Sequence, residues 1–158
     1  MKKVVTTLVF CCAVLLLSAC SSLDEFVIIN RSDAPLEVVY AVKLSVTDKA
    51  PGKYQVEEPQ VMGASELEKN DRPWRRTSKE RCLIDHQAGK VMVRLAPGEA
   101  LLVERTTNYQ GHSSEYSDQK FNIASINLNG VRGSINLEGR QAQTQFQSKQ
   151  YYYEIVYQ

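Results

Sequence analysis

Apolar residues along most of this chain recur at every second position, the spacing of strands that bury one face. Residues 26–30 form a β-branched run. Residues 31–35 then carry turn chemistry, in which Ser32 or Asp33 can bond nearby backbone. Asn30-Arg31-Ser32 also has the form of a glycosylation sequon and is read as part of this turn. Over residues 36–46, Leu36, Val38, Tyr40, Val42, Leu44 and Val46 share one face, while Glu37, Val39, Ala41, Lys43 and Ser45 share the other. That alternation predicts a half-buried antiparallel strand. Val91, Val93 and Leu95 lead into Ala96-Pro97-Gly98-Glu99, where Pro97 and Gly98 suit the central positions of a type II turn, and a strand follows over 100–107.

Beyond a polar loop at 108–119, residues 121–128 and 131–137 flank Asn129-Gly130. This predicts a hairpin with a two-residue type I′ turn that sets Leu128 opposite Val131. Phe121 and Ile123 are out of phase with Ile126, so a bulge is expected near Ala124. The final run, 150–158, carries four of the eight tyrosines, with Tyr151, Tyr153, Ile155 and Tyr157 on one face and Tyr152 and Val156 on the other.

The middle, 47–88, is irregular and holds Pro51, Pro59 and Pro73. A strand over 54–61 and one helical turn over 65–69 are expected there. Thr77-Ser78-Lys79-Glu80 has the spacing of a capping box, predicting a short helix that ends before Gly89. A strand over 81–86 turning back through Ala88-Gly89 fits as well, and periodicity does not separate the two. Seven or eight short strands with turns between them predict an all-β fold, an antiparallel β-sandwich with an irregular middle segment. The Asn-x-Ser turn followed by Pro-Leu-Glu-Val-Val-Tyr, and the later Leu-Ala-Pro-Gly-Glu, resemble immunoglobulin-like periplasmic modules. That resemblance is generic and implies a fold without a function.

The first twenty residues follow a different pattern. Lys2 and Lys3 precede an uncharged apolar run over 4–17, shorter than the roughly 20 residues that cross a bilayer. This is the form of a secretory signal peptide. It ends in Leu17-Ser18-Ala19-Cys20, which resembles the lipobox of bacterial lipoproteins. The resemblance implies cleavage between Ala19 and Cys20 and acylation of Cys20 by a diacylglycerol thioether and an amide-linked, palmitate-type chain. Ser21, standing where an Asp would retain such proteins at the inner membrane, implies the outer membrane in a two-membrane host, where the periplasmic face is expected, and the outer face of the only membrane in a one-membrane host. Two or three acyl chains anchor stably where one holds only marginally. The expected organisation is a signal peptide over 1–19, an acylated tether over 20–25 and a sandwich over 26–158. Five residues at no more than about 3.6 Å each span under roughly 20 Å, which keeps the domain close to the headgroups.

Removing 1–19 with its two lysines leaves 139 of the 158 residues and turns the net charge from +1 to −1, 17 basic residues against 18 acidic. That balance and the compartment argue against a nucleic-acid partner. Cys11 and Cys12 leave with the signal, so Cys82 is the one remaining thiol beside Cys20, expected to be a buried inert residue rather than half of an intermolecular disulfide.

Catalytic chemistry is thinly represented. His86 and His112 are the only histidines. Cys82 and His86 offer two soft metal ligands without a visible third, and no phosphate-cradling glycine loop or nucleophile elbow occurs. No cofactor is expected, and an enzyme or metal protein using Cys82, His86 and His112 is the weakest reading. The most distinctive segment is Arg72-Pro73-Trp74-Arg75-Arg76 with Lys79 and Arg81, basic residues gathered around the only tryptophan. Trp and Arg are the residues most enriched in interface hot spots, so Arg72, Trp74, Arg75, Arg76, Lys79 and Arg81 are the candidate partner-binding residues. The alternative for this stretch is a loop whose Trp74 folds back onto the sandwich and whose cations pair with Glu57, Glu58, Glu66, Glu68 and Asp71. The expected function is a lipid-anchored accessory or assembly subunit of an envelope complex, with an inhibitor or immunity-type lipoprotein as the alternative.

Overall fold

The computed structural model describes residues 23–44, 54, 56–69, 71–107 and 121–158. The expected signal peptide, Cys20, Val46, the 108–119 loop and His112 lie outside the described residues. Two sheets face one another. One carries, in order, β10 (Gln147–Ser148), β11 (Tyr153–Tyr157), β1 (Leu23–Asn30), β7 (Glu99–Thr107), β3 (Gln60–Gly63) and β4 (Arg75–Arg76). The other carries β5 (Cys82–Asp85), β6 (Lys90–Leu95), β2 (Leu36–Val42), β8 (Ile123–Gly130) and β9 (Gly133–Glu138). The fold is an all-β sandwich. Its pairings are antiparallel except β1 with β11, where Phe26 stands level with Tyr153 and Asn30 with Tyr157.

Alternation places the core between the sheets. Along β2 the residues Leu36, Val38, Tyr40 and Val42 are buried, as their period predicts. With Ile126 and Leu128 of the neighbouring β8 they face Phe26, Ile28 and Leu101 in one apolar cluster. At one end of that cluster Phe26 stacks on Tyr153 at 4.8 Å between ring centres, while Phe121 and Phe146 meet it edge-on at 4.9 and 5.2 Å. Phe146 follows a short helix, α1 (Arg140–Thr144).

β1 begins at Leu23, three residues before the expected start of the domain, and six of its eight residues are buried. Burial on both faces has a plain cause. The chain after β3 makes a 3₁₀ turn (Ala64–Glu66) and then runs back across the outer face of the six-stranded sheet, where Leu67, Trp74 and Tyr152 cover Val27, Ile29, Ala100 and Leu102.

The turn at 31–35 is locked from inside. Asn30 is wholly buried; its amide Nδ2 donates to the carbonyls of Ala34 and Leu95 at 2.8 and 3.1 Å, and its Oδ1 accepts the Ser32 N–H at 3.1 Å. The sequon-like asparagine is thus a turn residue. Gly98 has φ of +74°, the left-handed conformation a type II turn needs.

Other expectations are corrected. The strand from Leu36 stops at Val42, and Leu44, expected inside, is exposed and makes only a single bridge to Tyr54. No helix follows Thr77: its hydroxyl donates to the Pro59 carbonyl at 3.0 Å instead of capping, and the chain enters β5, so the hairpin through Ala88-Gly89 is the arrangement adopted. In the 123–138 hairpin the turn is not Asn129-Gly130. Gly130 pairs with Gly133 and Leu128 with Ile135, leaving Val131 and Arg132 at the tip. A side chain competes for this corner. The Tyr157 hydroxyl donates to the Gly133 carbonyl at 3.0 Å and accepts the Arg132 N–H at 3.1 Å. A Cβ on Gly130 would lie 2.5 Å from the same oxygen, so glycine is needed there for close approach rather than for turn geometry. The bulge near Ala124 is present, with Ala41 level with Ser125 and Val42 with Ile123.

Candidate functional site

The basic segment around Trp74 divides into an engaged part and a free-standing part. Arg72 pairs with Oε2 of Glu25 and donates to the Tyr151 carbonyl at 3.2 Å, with its guanidinium 5.8 Å from the Tyr152 ring centre. Trp74 Nε1 donates to Glu25 Oε1 at 3.2 Å, and Arg105 Nη2 donates to the same oxygen at 2.7 Å. A buried carboxylate on β1 therefore binds two guanidiniums and an indole. Arg105 faces Glu25 because β7 has an extra residue at Val103: Leu102 is level with Val27, but Glu104 is level with Phe26. The bulge swaps the two faces of β7, turning Glu104 inward and Arg105 outward.

Arg81 is also committed. Its guanidinium pairs with the Glu99 carboxylate and donates from Nε and Nη2 to the Arg94 carbonyl at 3.1 and 2.9 Å. Because Arg81 precedes β5 and Glu99 opens β7, the pair joins the two sheets. Burial pushes the Glu99 carboxyl up, but the Arg81 hydrogen bond, the Ala96 N–H and the Arg81 charge together hold it below the usual range.

Arg75, Arg76 and Lys79 are exposed. Arg76 meets Glu58 at 2.8 Å across a pair that is solvated on both sides and hence weak. β4 is the edge of one sheet and β5 the edge of the other. Only residues 77–81 separate them, so the three cations stand along one side of the sandwich. The sequence thus brought together residues of two kinds, and the signal for separating them, Glu25, lay in what reads as tether.

The outer face of the five-stranded sheet adjoins this edge. In register across it run Leu83, Met92, Val39, Asn127 and Asn136, one from each strand. Leu83 and Met92 are exposed. Among the described residues the Asn127 Oδ1 is buried without a hydrogen-bond partner. Sequence reasoning missed this row, which only the strand order assembles.

Cys82 and His86, the two soft ligands the sequence offers, do not belong to a cluster of metal-ligating side chains among the described residues. Cys82 is half-buried on β5 as a free thiol, its pKa pushed up by burial and then by the charge of Glu58, while His86 is exposed in the following turn. Among the described residues no group of three potential metal ligands occurs.

A cleft of about 210 Å³, lined among others by Tyr40, Glu57, Gln60, Glu104 and Asn122, opens between the sheets. Burial raises the Glu104 carboxyl to about 7, with Glu57 adding to the rise, against hydrogen bonds from the Arg105 and Asn122 backbone and the Lys43 charge. Burial likewise pushes the Tyr40 hydroxyl well above its ordinary range, helped by Cys82, Glu104 and Glu57. Comparison with protein-family models, with curated proteins and with solved structures returns no match.

Proposed function

We propose that this chain is a lipid-anchored envelope lipoprotein that works by binding a protein partner, as an accessory or assembly subunit of a complex at the outer membrane. The observation that carries the binding role is the outer face of the five-stranded sheet. In it Leu83 and Met92 stand side by side and exposed, in register with the half-buried Val39. Exposed apolar residues of this kind supply the contact that desolvates the centre of an interface. Arg75, Arg76 and Lys79 on the adjoining edge steer an acidic partner onto that face.

The anchor rests on the lipobox-like Leu17-Ser18-Ala19-Cys20, which stands three residues before β1. In-cell crosslinking of the tagged protein, followed by mass spectrometry, tests both parts. A stoichiometric envelope protein is expected with the wild type, lost with Leu83→Glu and reduced with Arg75→Glu and Lys79→Glu. Retention of the same partner by Leu83→Glu would refute this face. Cys20→Ser should release the protein from membranes, and sedimentation of that variant with the membrane would refute the anchor.

A further inference from the structure

Exposed apolar side chains gather at one end of the sandwich. Leu23, Leu44 and Tyr151 are 53%, 47% and 43% exposed. Leu23 is the first residue of β1, and Leu44 lies two residues past the end of β2. Because β1 and β2 are joined by the turn at the other end, the start of one and the finish of the other share a rim. Tyr151 lies two residues before Tyr153, which is level with Phe26, and its carbonyl accepts from Arg72, the partner of Glu25, which puts it on the same rim.

The covalent chain relates that rim to the lipid. Two residues, Ser21 and Ser22, separate Cys20 from Leu23, and three Cα–Cα steps reach no more than about 11 Å. The sandwich is far longer: the eight residues of β1, at about 3.3 Å each, extend roughly 26 Å. The tether therefore holds at the headgroups the end of the domain that bears these side chains. Leucine partitions into the acyl boundary, and tyrosine favours the headgroup layer, with its ring in apolar surroundings and its hydroxyl wet.

We propose that the rim of Leu23, Leu44 and Tyr151 beds into the phospholipid leaflet that holds the Cys20 acyl chains. The sandwich then stands upright, with the Val131 hairpin tip turned away from the membrane. This rests on the anchor reading above. It also points the basic edge and the Leu83 face sideways, toward partners in the same membrane.

The test uses the acylated full chain in phosphatidylcholine vesicles containing brominated lipid. Trp74→Phe provides a background without tryptophan, checked by thermal melting, and one indole is added by Tyr151→Trp or by Val131→Trp, the latter at a residue 65% exposed on the far tip. Flotation reports the anchor and quenching reports the rim. Floated Tyr151→Trp should lose at least about half its emission, as an indole in the interface would, while Val131→Trp keeps its emission. Adding Leu23→Ser and Leu44→Ser should reduce the Tyr151→Trp quenching without preventing flotation. Flotation with neither indole quenched, or with both quenched alike, would overturn the rim and leave the anchor standing. Failure to float would remove the anchor, and the rim proposal with it.

Discussion

Replacing Glu25 with glutamine would test whether the Trp74 segment is held down by the sandwich. The carboxylate accepts from Arg72, Arg105 and Trp74 Nε1. Glutamine keeps the size but removes the charge and turns an amide N–H₂ toward guanidinium donors. Removing one partner of a buried ion pair costs about 3–5 kcal/mol. Here the cost falls at the low end, because the side chain of Arg105 is 34% exposed and regains water, whereas that of Arg72 is 16% exposed and does not. The expected loss is about 3 kcal/mol of unfolding free energy. Urea denaturation of the purified protein would measure it, with Trp74 as the fluorescent reporter. Arg72→Met should itself be costly, but in the Glu25→Gln background it should cost at least about 1 kcal/mol less than alone. A Glu25→Gln loss below about 0.5 kcal/mol, with the two substitutions additive, would refute the reasoning and free Arg72 and Trp74 for a partner.

Glu104 and Gly130 give two further expected outcomes. Glu104 is raised from 4.5 to about 7, so its contribution is fully present below pH 4.5 and is lost as pH climbs through 7; Glu104→Gln should remove that decline and gain up to about 3 kcal/mol over wild type at pH 8. Equal pH profiles for the two proteins would contradict it. Gly130→Ala, whose Cβ would lie 2.5 Å from the Tyr157 hydroxyl, should lower stability by about 1–3 kcal/mol, and pairing it with Tyr157→Phe should recover part of the loss in a thermal melt.

Regular alternation made β2, β6 and β8 legible, together with the bulge at Ala124, because one face of each meets the core and the other does not. Where a strand is buried twice, the pattern disappears. β1 reads as a short apolar run, and its outer cover, Leu67, Trp74 and Tyr152, comes from segments 40 to 130 residues away along the numbering. Glu25 looked like tether because nothing local marks a carboxylate that Arg72 and Arg105 will enclose. The bulge at Val103 lies inside the uninterrupted run Ala100–Val103, so no break in phase announces that Glu104 turns inward. At Asn129-Gly130 the local turn preference was real, and a distant tyrosine hydroxyl outweighed it.

The parallel pairing of β1 with β11 has a consequence for how the chain comes to its native state. The strand pairings of β1 are with β7, 71 to 84 positions downstream, and with β11, 127 positions downstream. A chain delivered N-terminus first holds this buried strand without β7 until residues 99–107 have emerged, and without β11 until residues 153–157 have. Such long closures are slow. The six-stranded sheet therefore closes only once the five-residue β11 has arrived, so loss of Tyr153–Tyr157 would strip β1 of its parallel partner.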